Sequence, residues 1–215
     1  AASNSWFPAA AATATGAAAD LNLQQAISAT GGGTSLQLSA GRNFINTAGA
    51  SALNAGAGRW LVWSSNPAND TRGGLAYGFK HYGATYGVTT PAQATGNGFL
   101  YTVSPSLTAT LASISRTYDG TTAATLSGAN FGVSGQIDGD TVTLNTPTSG
   151  TFDTKDAGTG KTVSAAGVAI ASATNGGATV YGYQLASSNV ANTSSSITSA
   201  ALTVTANNAT RTYGA

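Results

Sequence analysis

Short apolar groups separated by tight polar turns run through most of the chain. From Thr34 they come at strand length: Leu36 with Leu38, Phe44 with Ile45, Leu53, then the unbroken run Arg59-Trp60-Leu61-Val62-Trp63-Ser64. Between them lie Ser39-Ala40-Gly41-Arg42-Asn43 and Asn54-Ala55-Gly56-Ala57-Gly58, built from the residue types that turns require. Strand-length pieces recurring at roughly eight-residue intervals predict the coils of a β-solenoid, each burying one or two side chains and stacking on the next. A flat sheet is the alternative. Upstream, residues 1–19 are Ala/Thr-rich around Trp6-Phe7-Pro8 and read as an irregular or extended lead-in. Leu23 and Ile27, four apart, predict a short helical turn over Asp20–Ile27 that ends at Gly31-Gly32-Gly33.

The second half alternates more cleanly. Thr141-Val142-Thr143-Leu144, Val168-Ala169-Ile170 and Tyr181-Gly182-Tyr183-Gln184-Leu185 have the period of two of half-buried strands. Asp138-Gly139-Asp140, Pro147-Thr148-Ser149-Gly150, Asp156-Ala157-Gly158 and Asn175-Gly176-Gly177 separate them as turns. This texture suits an Ig-like β-sandwich. A repeat frames it. L-T-A-T-L-A-S-I-S-R-T-Y from Leu107 returns as L-T-V-T-A-N-N-A-T-R-T-Y from Leu202, an offset of 95 residues (107 to 202). A fixed offset of this kind signals a modular array, so a further module is expected to open near Ala215.

Composition narrows the classes. Charged residues make up 7% of the 215, and all seven acids are Asp. So little charge, with Thr- and Val-bearing runs, favours all-β structure over a solvated disordered chain. A net charge of +1 gives no electrostatic case for nucleic acid or an anionic membrane surface. No apolar run approaches the roughly 20 residues of a transmembrane helix. With no Cys, disulfides and thiolate chemistry are excluded. A secretion signal, if there is one, is expected upstream of Ala1.

Particular segments are similar to known families. R-W-L-V-W-S-S-N-P-A-N-D-T-R-G-G-L followed by G-N-G-F-L-Y, after L-Q-Q-A-I-S-A-T-G-G-G-T-S-L-Q-L-S-A-G-R-N-F, resembles the end of the β-helix in filamentous-haemagglutinin-type exoproteins of two-partner secretion systems. R-T-Y-D-G-T-T-A-A-T-L resembles the start of the YDG domain of bacterial exoproteins, and L-T-V-T-A-N-N-A-T-R-T-Y-G that of an MBG-type module. These resemblances imply an all-β chain with a lead-in (1–19), the last coils of a right-handed β-solenoid (20–64) and an aromatic cap and joint (65–104). A YDG-like β-sandwich (105–201) and the first strand of an MBG-like module (202–215) follow. They imply a secreted, cell-surface adhesin or biofilm fibre whose partners are its own copies or modules, host or matrix glycans, and an outer-membrane transporter during secretion.

Candidate chemistry is sparse. His81 is the sole histidine, between Lys80 and Tyr82 in the expected cap, and no G-x-S-x-G, H-E-x-x-H or P-loop occurs. No enzyme, cofactor or zinc site is expected. Asp138 and Asp140 resemble a fragment of a calcium loop, against the plainer reading of an Asp-Gly turn opening the next strand. A Lys–Asn isopeptide bond would draw on Lys155 or Lys161 beside Asp153 or Asp156, although turn sequence around them points to solvated loops. Trp60, Trp63, Tyr77 and Tyr82 offer either a glycan-stacking platform or the hydrophobic plug of the solenoid end. Leu202 and Val204 would lie on a strand available for donation to a neighbour. Arg116 and Arg211 are expected to pack on Tyr118 and Tyr213 or to satisfy an interdomain carbonyl.

Overall fold

A computed structural model describes residues 10–13, 19–211 and 213–214. Among them there is no α-helix, only strands and two short 3-10 turns, Pro67–Asn69 and Gly128–Asn130. The expected lead-in (1–19) lies outside the described residues except for Ala10–Thr13 and Ala19.

Seven strands come first: β1 (Ala10–Thr13), β2 (Leu21–Leu23), β3 (Ile27–Ser28), β4 (Thr34–Ser39), β5 (Phe44–Asn46), β6 (Leu53–Asn54) and β7 (Arg59–Ser64). They pair in parallel with strands about two dozen residues away. β1 lies on β4 and β4 on β7, β2 on β5, and β3 on β6. Successive turns of chain thus stack in register, Leu36 on Trp60 and Leu21 on Phe44. The helical turn expected over Asp20–Ile27 is not formed. Leu21 N–H donates to the Asn43 carbonyl at 2.9 Å and Ile27 N–H to that of Ala52 at 2.8 Å, so pairing with the next turn of chain overrides the i, i+4 spacing.

Two further strands extend the stack, β8 (Phe79–Tyr82) and β9 (Gly98–Tyr101). β9 lies between β7 and β8, parallel to both. A parallel sheet is covered on both faces, which is why β7 and β9 read as continuous apolar runs. Trp60 and Val62 face the main core with Leu36, Phe44, Phe99 and Tyr101. Leu61, Trp63, Phe79 and Leu100 face a smaller core closed by Ala84 and Tyr86. Gly98 is required here: a Cβ on it would lie 2.2 Å from the Phe79 ring.

The remaining strands are β10 (Ser106–Leu111), β11 (Ser115–Thr117), β12 (Ala123–Thr125), β13 (Phe131–Ser134), β14 (Thr141–Asn145), β15 (Ser149–Phe152), β16 (Gly158–Ala166), β17 (Ala169–Asn175), β18 (Ala178–Tyr181), β19 (Gln184–Leu185) and β20 (Asn189–Thr198). Five of them form a sheet in the order β11-β20-β16-β15-β12, and three another, β13-β10-β19. Leu111, Ile114, Leu126, Phe152, Val163 and Ile197 fill the core between.

The two halves share one sheet. β18 pairs in parallel with β8, Val180 opposite Lys80, and the full order is β1-β4-β7-β9-β8-β18-β17-β14. The main core is shared too, because Leu107, Val142, Val180 and Tyr183 pack with Trp60 and Tyr101. Ser104-Pro105-Ser106, where the expected cap and joint (65–104) meets the expected YDG-like module (105–201), is therefore held on both sides. Val103 N–H donates to the Ser65 carbonyl at 3.0 Å, and Gln184 N–H to that of Pro105 at 3.1 Å. Gly182, at φ 89°, lets the backbone after β18 press against Tyr82, whose carbonyl oxygen would sit 2.0 Å from any Cβ there.

Candidate functional site

The polar centre of the molecule lies at this junction. In β8, Phe79 and His81 point to one face while Lys80 and Tyr82 point to the other. Lys80 is 0% exposed, in a strand flanked on both sides, so its ammonium group needs partners within the protein. They come from the Asp138-Gly139 turn. Asp138 and Gly139 have φ of 55° and 69°, and Asp140 N–H donates to the Ile137 carbonyl at 3.0 Å. That tight turn aims both carboxylates at the amine.

Lys80 Nζ donates to Asp138 Oδ2 at 2.6 Å and to Asp140 Oδ1. Arg72 grips Asp138 with both branches, Nη1 to Oδ2 at 2.9 Å and Nη2 to Oδ1 at 2.7 Å. Asp140 is held as firmly. Its Oδ2 accepts from Tyr82 Oη at 2.7 Å and Tyr183 Oη at 2.9 Å, and its Oδ1 accepts from Asn175 Nδ2 at 2.8 Å. Tyr77 Oη donates to Asn175 Oδ1 at 2.8 Å, orienting that amide. Burial, together with donation to Asp140, raises the Tyr82 phenol well above its ordinary range and pushes Tyr183 up to about 12. Both hydroxyls therefore stay protonated and donate. Two cations face two carboxylates, and Arg72, Tyr77, Lys80 and Tyr82 on one side of the junction meet Asp138, Asp140, Asn175 and Tyr183 on the other.

Sequence reasoning named some of these residues for other tasks and missed the rest. Asp138 and Asp140 do open β14 through an Asp-Gly turn. As a calcium fragment they find their carboxylates already taken by Lys80 and Arg72. Among the described residues, no group of three His or Asp side chains is placed to hold a metal ion. Trp60, Trp63 and Tyr82 are buried and Tyr77 half-buried. Trp60 and Tyr77 both set edges against Phe99, at 5.1 and 5.2 Å between ring centres, and Trp63 lies against Tyr86 at 5.7 Å. These rings fill the interior, in the position of a plug, and Trp60, Trp63 and Tyr82 present no open stacking face. Lys80 and Arg72 carried no site expectation, and Asn175 only that of a turn. The signal for Lys80 was present in G-F-K-H-Y-G, a lone cation in an aromatic strand of a charge-poor chain.

The other candidates lie apart. Lys155, Asp153 and Asp156 are exposed, and Lys161 Nζ donates to Thr154 Oγ1 at 2.6 Å, so no buried amine–acid pair forms there. His81 is half-buried with its ring edge toward Tyr181 at 6.2 Å, and burial lowers its pKa. Arg116 does not pack on Tyr118. It donates to the Thr121 carbonyl, pairs with Asp119 and lies over the Phe152 ring at 5.1 Å, which fixes the Asp119-Gly120 turn. The hydrogen bond from Arg116 holds the Asp119 carboxyl down at about 2. Arg211 and Tyr213 are exposed. Leu202 and Val204 are 87% and 82% exposed in a segment, 199–211, that belongs to no strand, so the expected first strand of a next module is not formed there.

The second half matches a known family from Thr102 to Val190. Residues 102–190 form a YDG domain. Neither a curated protein nor a solved structure matches the chain. Asp138, Asp140, Asn175 and Tyr183 thus lie inside the YDG domain, while Arg72, Tyr77, Lys80 and Tyr82 belong to the segment before it. The cluster is the seam between the YDG domain and the parallel strands it is built on.

Proposed function

We propose that this chain is a structural segment, a stalk or spacer, of a secreted, cell-surface filamentous adhesin or biofilm-matrix fibre. In this reading β2–β7 are the last coils of a right-handed β-solenoid, and the aromatic segment through β9 is its cap. The YDG domain is the first sandwich of a stalk that holds binding regions away from the cell. Secretion through an outer-membrane transporter, and assembly with other modules of the same exoprotein, follow from the resemblance of the Trp-rich segment to filamentous-haemagglutinin-type proteins.

One observation carries the proposal. The sheet runs without a break from β7 through β9 and β8 into β18 of the YDG domain. A stalk transmits tension, and backbone hydrogen bonds across the seam carry it where a flexible linker would yield. The open end of a coil stack also needs covering, since unpaired strand edges recruit other chains; in this reading the aromatic segment caps the coils, and β18 of the YDG domain covers the edge of β8.

The test is single-molecule stretching of the chain tethered through residues 20 and 198. The expected trace is one cooperative rupture in which the parallel strands and the YDG domain give way together. Two separate ruptures at different forces, each releasing one half, would overturn the reading.

A further inference from the structure

We propose that Lys80 and Asp140 close an intramolecular amide bond, Nζ to Cγ, that covalently locks the YDG domain to the strand it pairs with. The inference rests on the side chains at the seam and is independent of the fibre reading. Both side chains of the pair are 0% exposed, so the reacting groups are held together away from bulk water. Nζ is hydrogen-bonded directly to Asp140 Oδ1, which sets the amine against the carboxyl group it would attack. The other oxygen, Oδ2, sits between the hydroxyls of Tyr82 and Tyr183 at 2.7 and 2.9 Å. Two fixed donors on that oxygen are what a tetrahedral intermediate requires as negative charge builds there. A proton carrier is in place as well: Asp138 Oδ2 is 2.6 Å from Nζ, and Arg72 holds it there with two bonds.

The step balances without a co-reactant. One proton of the Lys80 ammonium passes to Asp140 Oδ1 along their hydrogen bond, leaving a free amine and a carboxylic acid. The amine nitrogen attacks Cγ, the N–C bond forms, and the electron pair moves onto Oδ2 under the two phenols. Asp138 takes a second proton from the nitrogen and delivers it to Oδ1. The C–Oδ1 bond then breaks and water leaves, Oδ2 becomes the amide carbonyl, and Asp138 returns to a carboxylate. The product removes one buried ion pair, and with it the desolvation that such a pair carries.

Intact-mass spectrometry of the folded, purified chain tests this directly, before any variant is made. The expected mass is one water below that of the sequence. After trypsin, Lys80 should resist cleavage, and the peptide Gly73–Arg116 should be joined to Thr117–Lys155 through Lys80 and Asp140. Lys80→Met and Asp140→Ala should each restore the full mass. Asp138→Ala should leave a large share of the folded chain unlinked. A wild-type chain of full mass overturns the proposal, as does a loss of one ammonia, which would put the bond at Asn175. A link mapped to any other pair overturns it too. The readout does not depend on how the chain ruptures under load.

Discussion

Asp70 makes the stability of the stacked strands depend on pH, in the direction opposite to that of most carboxylates. It follows the turn Pro67–Asn69, with Oδ1 accepting from Phe44 N–H at 2.8 Å and Oδ2 from Ser64 Oγ at 2.7 Å. Burial outweighs these bonds and raises its pKa to about 6. A folded-state pKa above the unfolded one means that the folded chain binds the proton more tightly. The stabilisation is complete below the unfolded value of about 4 and is lost as pH rises through about 6. A gap of about two units corresponds to on the order of 2–3 kcal/mol across that window. The assay is the urea midpoint measured at intervals from about pH 4 to pH 7, for wild type and Asp70→Asn. Asn keeps an oxygen for Phe44 N–H and presents an amide to the Ser64 hydroxyl, but it cannot ionise. Wild type should lose stability with rising pH by that amount relative to Asp70→Asn. Parallel curves for the two proteins, or a wild type that gains stability relative to the variant, would refute the reasoning.

Other outcomes follow from single contacts. Gly98→Ala forces a methyl group into the Phe79 ring and should lower stability by about 1–3 kcal/mol, read from the urea midpoint. Phe152→Ala empties the second core and removes the ring under Arg116, an expected loss of about 3–5 kcal/mol. Trp63→Ala should destabilise the chain by about 3–5 kcal/mol through lost packing on Tyr86. A panel of glycans should show no saturable binding by wild type; binding abolished by Trp63→Ala in a chain that stays folded would favour the sugar platform instead.

Much of the strand layout was legible in the sequence because its causes are local. Leu36, Leu38, Phe44 and Leu53 fall on paired strands, and the turns at Asp138-Gly139 and Asn175-Gly176-Gly177 lie where the glycines put them. The YDG domain was readable from R-T-Y-D-G, which falls on β11 and the turn after it, inside the residues that match the family. What stayed hidden was set by distant partners. Leu23 and Ile27 are spaced as well for a helix as for two strands, and only pairing with Asn46 and Leu53 one turn of chain later decides between them. Lys80 meets Asp138 and Asp140 across some 60 residues, and no local pattern joins a cation in one strand to a turn that far away. Arg116, expected on Tyr118 or on an interdomain carbonyl, instead meets the Thr121 carbonyl of its own turn and the Phe152 ring. Phe152 comes beneath it only after β15 and β12 pair.

The pairing of β18 with β8 also bears on what counts as an autonomous folding unit. A fragment cut to residues 102–190 would keep every position of the family match and still be a poor object to express. Its β18 would lose β8 and become a bare edge, with Val180, Tyr183 and Leu107 newly wetted. Its five-stranded sheet would keep only the first two residues of β20, the strand that lies between β11 and β16. Such a fragment is expected to aggregate or to borrow a strand from its neighbour. The contacts across the seam run back through β8 to Arg72, so the boundary of the family match in sequence and the boundary of the packing in space do not coincide.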